Sequence, residues 1–121
     1  MQVRRIVPNL NAEDPGALSR FYRNVFGLEV QTDMGWISFL RAPAEGPERL
    51  QIAAHGGSGT ELPALSIEVD DLAEAQARAE AEGAPPVYGP ADEPWGVRRF
   101  YLRDPAGNLV NVVTHAETTD G

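Results

Sequence analysis

One pattern of punctuation occurs twice in this chain, and it restricts the fold more than any other feature. In the first half, residues 2–10 alternate as a strand. Asp14 is then placed to cap a helix with Pro15 at its first position, and Gly27 is placed to stop it. Leu18, Phe21, Tyr22 and Val25 lie on one stripe of that helix, with strands expected near 28–32, 35–40 and 49–55. In the second half, 65–69 is the strand, Asp70 and Asp71 cap a helix over 72–82, and Gly83 ends it. Strands near 86–88, 98–103 and 109–114 follow. The offset is about 57 residues, so the chain reads as β-α-β-β-β twice. Neither half can bury a sheet alone, which points to one domain over 1–121 with a shared core. Its modules span about 2–55 and 64–116, joined by a polar, glycine-rich linker at 56–63.

The alternation assigns faces. Leu65, Ile67 and Val69 are apolar throughout, as a helix-covered face requires, and Ala64, Ser66 and Glu68 take the opposite side. Likewise Leu50 and Ile52 oppose Gln51, Ala53 and His55, while Val110 and Val112 oppose Leu109, Asn111, Val113 and His115. Arg5, Val7 and Asn9 share one side of the first strand, where Pro8 cannot donate to a ladder and so predicts an edge or an unpaired position. One face is therefore a core, and the other gathers Arg5, Asn9, Gln51, His55, Ser66, Glu68, Asn111 and His115. In a sheet curled from two repeats such a face forms a cleft, a candidate ligand site.

Residues 95–111 are strand, tight turn, strand. Asp104-Pro105-Ala106-Gly107 fits a type I turn position by position, and Asn108 tolerates a left-handed backbone if the loop needs one. The glycines at 56–61 do not form a phosphate loop, because no lysine or strong helix start follows them.

Charge and composition exclude several classes. Ten basic against eighteen acidic residues give −8, which argues against nucleic acid and favours cationic ligands at long range. No apolar run approaches the ~20 residues of a membrane span, and residues 1–11 lack signal-peptide character. With no cysteine, there is neither a disulfide framework nor thiolate chemistry, and a cytoplasmic protein without membrane partners is the expectation.

Three segments in order carry a resemblance: Asp14 through Phe21-Tyr22 to Gly27-Leu28; Ile67-Glu68-Val69-Asp70-Asp71-Leu72; and Trp95-Gly96-Val97-Arg98 leading to Asp104-Pro105-Ala106-Gly107-Asn108. Together they resemble the vicinal-oxygen-chelate superfamily of glyoxalases, bleomycin-resistance proteins, extradiol dioxygenases and methylmalonyl-CoA epimerase. The resemblance implies an α+β fold of two tandem βαβββ modules, forming a curled, cup-shaped mixed sheet with helices on the outer face, and commonly a homodimer. Metal-dependent members place one ligand, mostly His, Glu or Gln, on each of four strands. The matching positions here are Val7, Gln51, Ala64 and Asn111, two of which cannot ligate and two of which offer neutral amides. The resemblance thus implies no metal and no other cofactor.

The Trp95-Gly96-Val97-Arg98 segment is closest to bleomycin-resistance-like members, which sequester flat cationic drugs without a metal. A small-molecule ligand of cationic or aromatic character is accordingly expected. Trp36, Phe39, Trp95 and Tyr101 are candidate walls, and Gln51, His55, Glu68, Arg98 and Asn111 candidate polar contacts. Phe21, Tyr22, Phe26 and Phe100 read as core, and Arg98 alternatively anchors its loop. The competing expectation is a glyoxalase-like lyase, isomerase or dioxygenase. It would use a metal site rebuilt from His55, Glu68 and His115, or Glu68 or His55 as a metal-independent acid or base. Arg5, on the face of Glu68, would then compete by pairing with it. No catalytic residue is assigned.

Overall fold

The computed structural model describes residues 1–42 and 49–115. Its elements run β1 (Val3–Asn11), α1 (Pro15–Phe26), β2 (Glu29–Asp33), β3 (Ile37–Arg41), β4 (Arg49–Ala53), β5 (Leu65–Val69), α2 (Leu72–Ala81), β6 (Tyr88–Asp92), β7 (Val97–Arg103) and β8 (Leu109–His115). This is the mixed α+β class with β-α-β-β-β twice. The Pro/Gly-rich segment 42–47 lies, after Ala42, outside the described residues, as does residue 116, where the second module was expected to end.

Two compact units divide the chain, and β1 belongs to both: residues 7–62 form one, while 1–6 join the residues from 63 onward. The first six residues group with those from 63 onward, where their partners lie. Gln2 N–H donates to Asp70 Oδ1 at 2.8 Å, and Asp70 N–H donates back to the Gln2 carbonyl at 3.1 Å. The Met1 ammonium meets Glu74 at 2.7 Å, raising the amine's pKa and lowering that of Glu74 chiefly through the hydrogen bond between them. Pro8 therefore does not mark an edge strand. It lies just before Asn9, where β1 begins its parallel pairing with β4.

In the 7–62 unit the strand order is β2-β3-β4-β1. β3 runs antiparallel to β2 and β4, and α1 packs on β2, β3 and β4. Leu40 and Ile52 are wholly buried, and Ser38 stands opposite Ile52 on the same face. Asp14 caps α1 through Ala17 N–H as expected, and Gly27 closes it at φ +70°, a left-handed conformation that glycine adopts without Cβ strain. The stripe of α1 is only partly covered. Phe21 and Phe26, expected in the core, are 53% and 63% exposed, and Tyr22 is half-buried between them.

In the other unit β5, β8, β7 and β6 are successive neighbours, with β5 parallel to β8 and the rest antiparallel. Val69, Leu72, Phe100, Val110 and Val112 make the core, flanked by Leu65, Ile67, Ala75 and Leu102. The alternation had marked Leu65, Ile67, Val69, Val110 and Val112 for this face. β6 lies at Tyr88–Asp92, later than the 86–88 expected. A Gly-Pro pair inside a strand argues against pairing, but the ladder shifts register between Tyr88 and Ala91 and accommodates it. Gly89 has no alternative there: a Cβ would stand 2.6 Å from the Arg99 carbonyl oxygen.

The β7–β8 turn forms as read. Gly107 N–H donates to the Asp104 carbonyl at 2.8 Å, and Asp104 Oδ1 accepts from the backbone of Ala106 and Asn108. Asn108 also turns its side-chain amide onto the Asp104 carboxylate and needs no left-handed backbone. That amide, followed by the backbone donors, holds the Asp104 carboxyl below its ordinary pKa.

Candidate functional site

The register of β5, β8 and β7 builds the polar face of the second unit in rows. Ser66 pairs with Asn111, which pairs with Tyr101, which in turn pairs with Tyr88 on β6. The next row is Glu68, Val113 and Arg99. Asn111 Nδ2 donates to Ser66 Oγ at 3.0 Å, and both residues are buried. Of the residues nominated from sequence, Glu68, Tyr101 and Asn111 thus share one face within this unit.

Glu68 is buried and engaged from two sides. Arg5 Nε lies 2.8 Å from Oε1, and His115 Nδ1 lies 2.8 Å from Oε2. This is the Arg5 pairing weighed from sequence, and it works against a free general base. Arg5 contributes charge more than direction, since Oε1 has no partner with hydrogen-bond alignment.

Beside this row lies a cluster that the sequence reading missed. Arg99 and Glu93 form a buried pair at 2.6 Å, and Tyr88 donates its hydroxyl to Glu93 at 2.7 Å. The Arg99 guanidinium sits 5.4, 5.0 and 4.8 Å from the rings of Tyr88, Trp95 and Tyr101. Trp95 and Tyr101 were nominated as walls for an external cation. Here they flank an internal one, held by cation–π attraction and a carboxylate. The available signal was parity: Arg99 alternates with Tyr101, whereas Phe100 and Leu102 face the core. Arg98, the nominated arginine, has the parity of Phe100 and pairs with Asp92 at 3.1 Å, an exposed contact near the strand end.

The 7–62 unit holds the other nominees. Gln51 stands between Asn9 on β1 and Phe39 on β3, all on one face. His55 lies past the end of β4. Its ring stacks on Trp36 at 4.9 Å with a 7° interplanar angle, and its Nδ1 accepts from Gly57 N–H at 3.0 Å. Trp36 and His55 thus brace the bend that follows β4.

The metal of the chelating relatives does not fit these residues. Val7 is a buried apolar side chain and Ala64 has no donor atom. Asn111 donates to Ser66 and offers only a neutral amide oxygen, as does Gln51. Among the described residues no three His, Cys, Asp or Glu come together as a metal-holding group. Also among the described residues, no helix is long and apolar enough to cross a membrane.

Comparison with known proteins places this architecture. The family model for the Glyoxalase/Bleomycin resistance protein/Dioxygenase superfamily matches residues 3–112, and the chain belongs to that superfamily. No curated protein matches it. Among solved structures it is similar to the NAD-dependent benzaldehyde dehydrogenase from Legionella pneumophila, with a TM-score of 0.75 at 14% identity over 92% of this chain and 99% of that one. It is similar to methylmalonyl-CoA epimerase from Mycobacterium tuberculosis, with a TM-score of 0.67 at 15% identity over 98% and 90%. The Mn(II)-bound glyoxalase from Novosphingobium aromaticivorans gives a TM-score of 0.65 at 21% identity, covering 93% of this chain and 37% of that one. At these identities the likeness is one of fold.

Proposed function

We propose that this chain is a cytoplasmic small-molecule-binding protein that works without a metal, akin to the drug-sequestering bleomycin-resistance members of its superfamily, and that it acts as a homodimer. The carrying observation is the donor set. Where chelating members have metal ligands this chain has Val7, Gln51, Ala64 and Asn111, which cannot assemble a Lewis acid. The polar face of Ser66, Glu68, Asn111 and Tyr101 supports binding, since it places polar groups beside aromatic ones on ordered strands. The net charge of −8 suits a cationic guest.

The test is elemental analysis of the purified protein before and after dialysis against a chelator, followed by a tryptophan-fluorescence screen with cationic aromatic compounds. We expect no stoichiometric metal, and binding that the chelator leaves unchanged. Stoichiometric zinc, nickel, iron, cobalt or manganese would overturn the proposal.

A second reading, metal-independent acid–base catalysis, draws on the 2.8 Å contact between Glu68 and His115. The Arg5 guanidinium 2.8 Å from the same carboxylate weighs against it, because it already engages the group that would have to serve as acid or base.

A further inference from the structure

We infer that the ligand of the second unit's polar face is recognised through a cationic nitrogen–hydrogen donor, an amidinium or ammonium group, received by Asn111 Oδ1 and Glu68 Oε1. This rests on the binding reading above and names the chemistry of its ligand. Glu68 and Asn111 are 7% and 9% exposed. Asn111 spends its Nδ2 on Ser66, and its Oδ1 is buried with no hydrogen-bond partner. Glu68 Oε2 is taken by His115, while Oε1 has the nearby Arg5 charge but no aligned donor. Because Ser66 pairs with Asn111 and Glu68 with Val113, the two open acceptors are diagonal neighbours on one face of the parallel β5–β8 pair.

A buried acceptor without a donor is costly and uncommon, so Asn111 Oδ1, beside a Glu68 Oε1 that has the Arg5 charge but no aligned hydrogen bond, calls for a donor from outside the chain. A carboxylate or phosphate would set lone pairs against lone pairs and be repelled by Glu68. A protonated nitrogen with several N–H groups satisfies both acceptors at once and forms the stronger, charge-assisted bond with the carboxylate. Arg99 and Arg103 share this face with Arg5: Arg99 is already paired with Glu93 and Arg103 donates to the Gly107 carbonyl, while the His115 imidazole takes the far oxygen of Glu68.

The experiment is a ¹⁵N–¹H correlation titration of the full chain with three probes of one shape: benzamidine (cationic donor), benzamide (neutral donor) and benzoate (no donor). Benzamidine should shift the Asn111 side-chain amide and the backbone amides around 66–68 and 111–113, benzamide less so and benzoate not at all. Asn111→Leu should weaken benzamidine about tenfold or more, the usual scale for losing a buried charge-assisted partner. Asn111→Asp, which keeps an acceptor, should retain binding, and it serves as the reference if the leucine variant loses its dispersed spectrum. Benzoate binding at these residues as well as benzamidine does would overturn the inference, as would benzamidine binding unchanged in Asn111→Leu or lost in Asn111→Asp. Silence from all three probes would overturn it too, assigning water to both acceptors. None of these results touches the metal analysis, which decides the binding reading on its own.

Discussion

Helix α2 lays Leu72 and Ala75 on a sheet whose Phe100 is wholly buried, whereas α1, built on the same punctuation, leaves Phe21, Val25 and Phe26 more than half exposed. Both helices begin at an Asp whose side chain accepts from the third residue on, and both are followed by a glycine with positive φ. Capping therefore sets where a helix starts and stops, but not how much of its apolar stripe is covered. Cover depends on the width of the stripe against the sheet beneath it. The stripe of α1 carries large aromatics that β2, β3 and β4 reach only in part, while that of α2 is mostly alanine and is easily satisfied.

The polar faces differ in the same way. In the 7–62 unit the row Asn9, Gln51 and Phe39 carries no formal charge. In the other unit Arg5 with Glu68, and Glu93 with Arg99, form paired charges beside tyrosines and a tryptophan. The ligand chemistry inferred above belongs to this second face, where Asn111 Oδ1 is left without a hydrogen-bond partner.

Urea denaturation breaks or sharpens the contrast most directly. Phe100→Ala should cost about 3–5 kcal/mol, the usual loss for a fully buried aromatic. Phe21→Ala and Phe26→Ala should stay within about 0.5 kcal/mol, as exposed positions do. A loss at Phe21 that approaches the Phe100 value and grows with protein concentration would mean that a second copy covers α1.

The Arg99–Glu93 pair offers the next effect. Glu93→Leu strands a buried guanidinium among aromatic rings and should cost about 3 kcal/mol or more, whereas Glu93→Leu with Arg99→Met should recover most of that loss. Additive losses in the double variant would show that the pair is not coupled, and that the aromatic rings carry Arg99 without its carboxylate.

The smallest effect lies in the β7–β8 turn. Asp104 has a folded pKa below its ordinary 3.8, held there chiefly by the Asn108 amide. A depressed carboxyl contributes stability that is present above the unfolded value and lost as pH falls through the folded one. Asp104→Asn should therefore be less stable than the parent at neutral pH, and the gap should close as the solution is acidified below 3.8. A gap that persists in strong acid would assign the effect to turn geometry instead of charge.

Most of the fold was legible because it follows from local rules. Asp14, Gly27 and Asp71 mark helix ends through the bonding of the nearest backbone groups. Leu65, Ile67, Val69, Val110 and Val112 mark the core face through a two-residue period. Candidate site residues were legible only where parity decides. Glu68 and Asn111 sit on the polar face because their neighbours are apolar, but their partners Arg5, His115 and Ser66 are distant in sequence. Arg98 was nominated because it closes the Trp95-Gly96 segment, whereas parity along β7 puts Arg99 on the face of Tyr101 and Asn111.

The amino-acid order by itself therefore determined the double βαβββ plan, the tight turn at Asp104 and the poverty of metal donors at Val7 and Ala64, since each rests on a residue's own chemistry or its near neighbours. Tertiary structure alone decided the aromatic enclosure of Arg99, the double engagement of Glu68 and the open acceptor on Asn111. Each of these is set by lateral register between strands, and no spacing along one strand encodes which residue its neighbour will bring alongside.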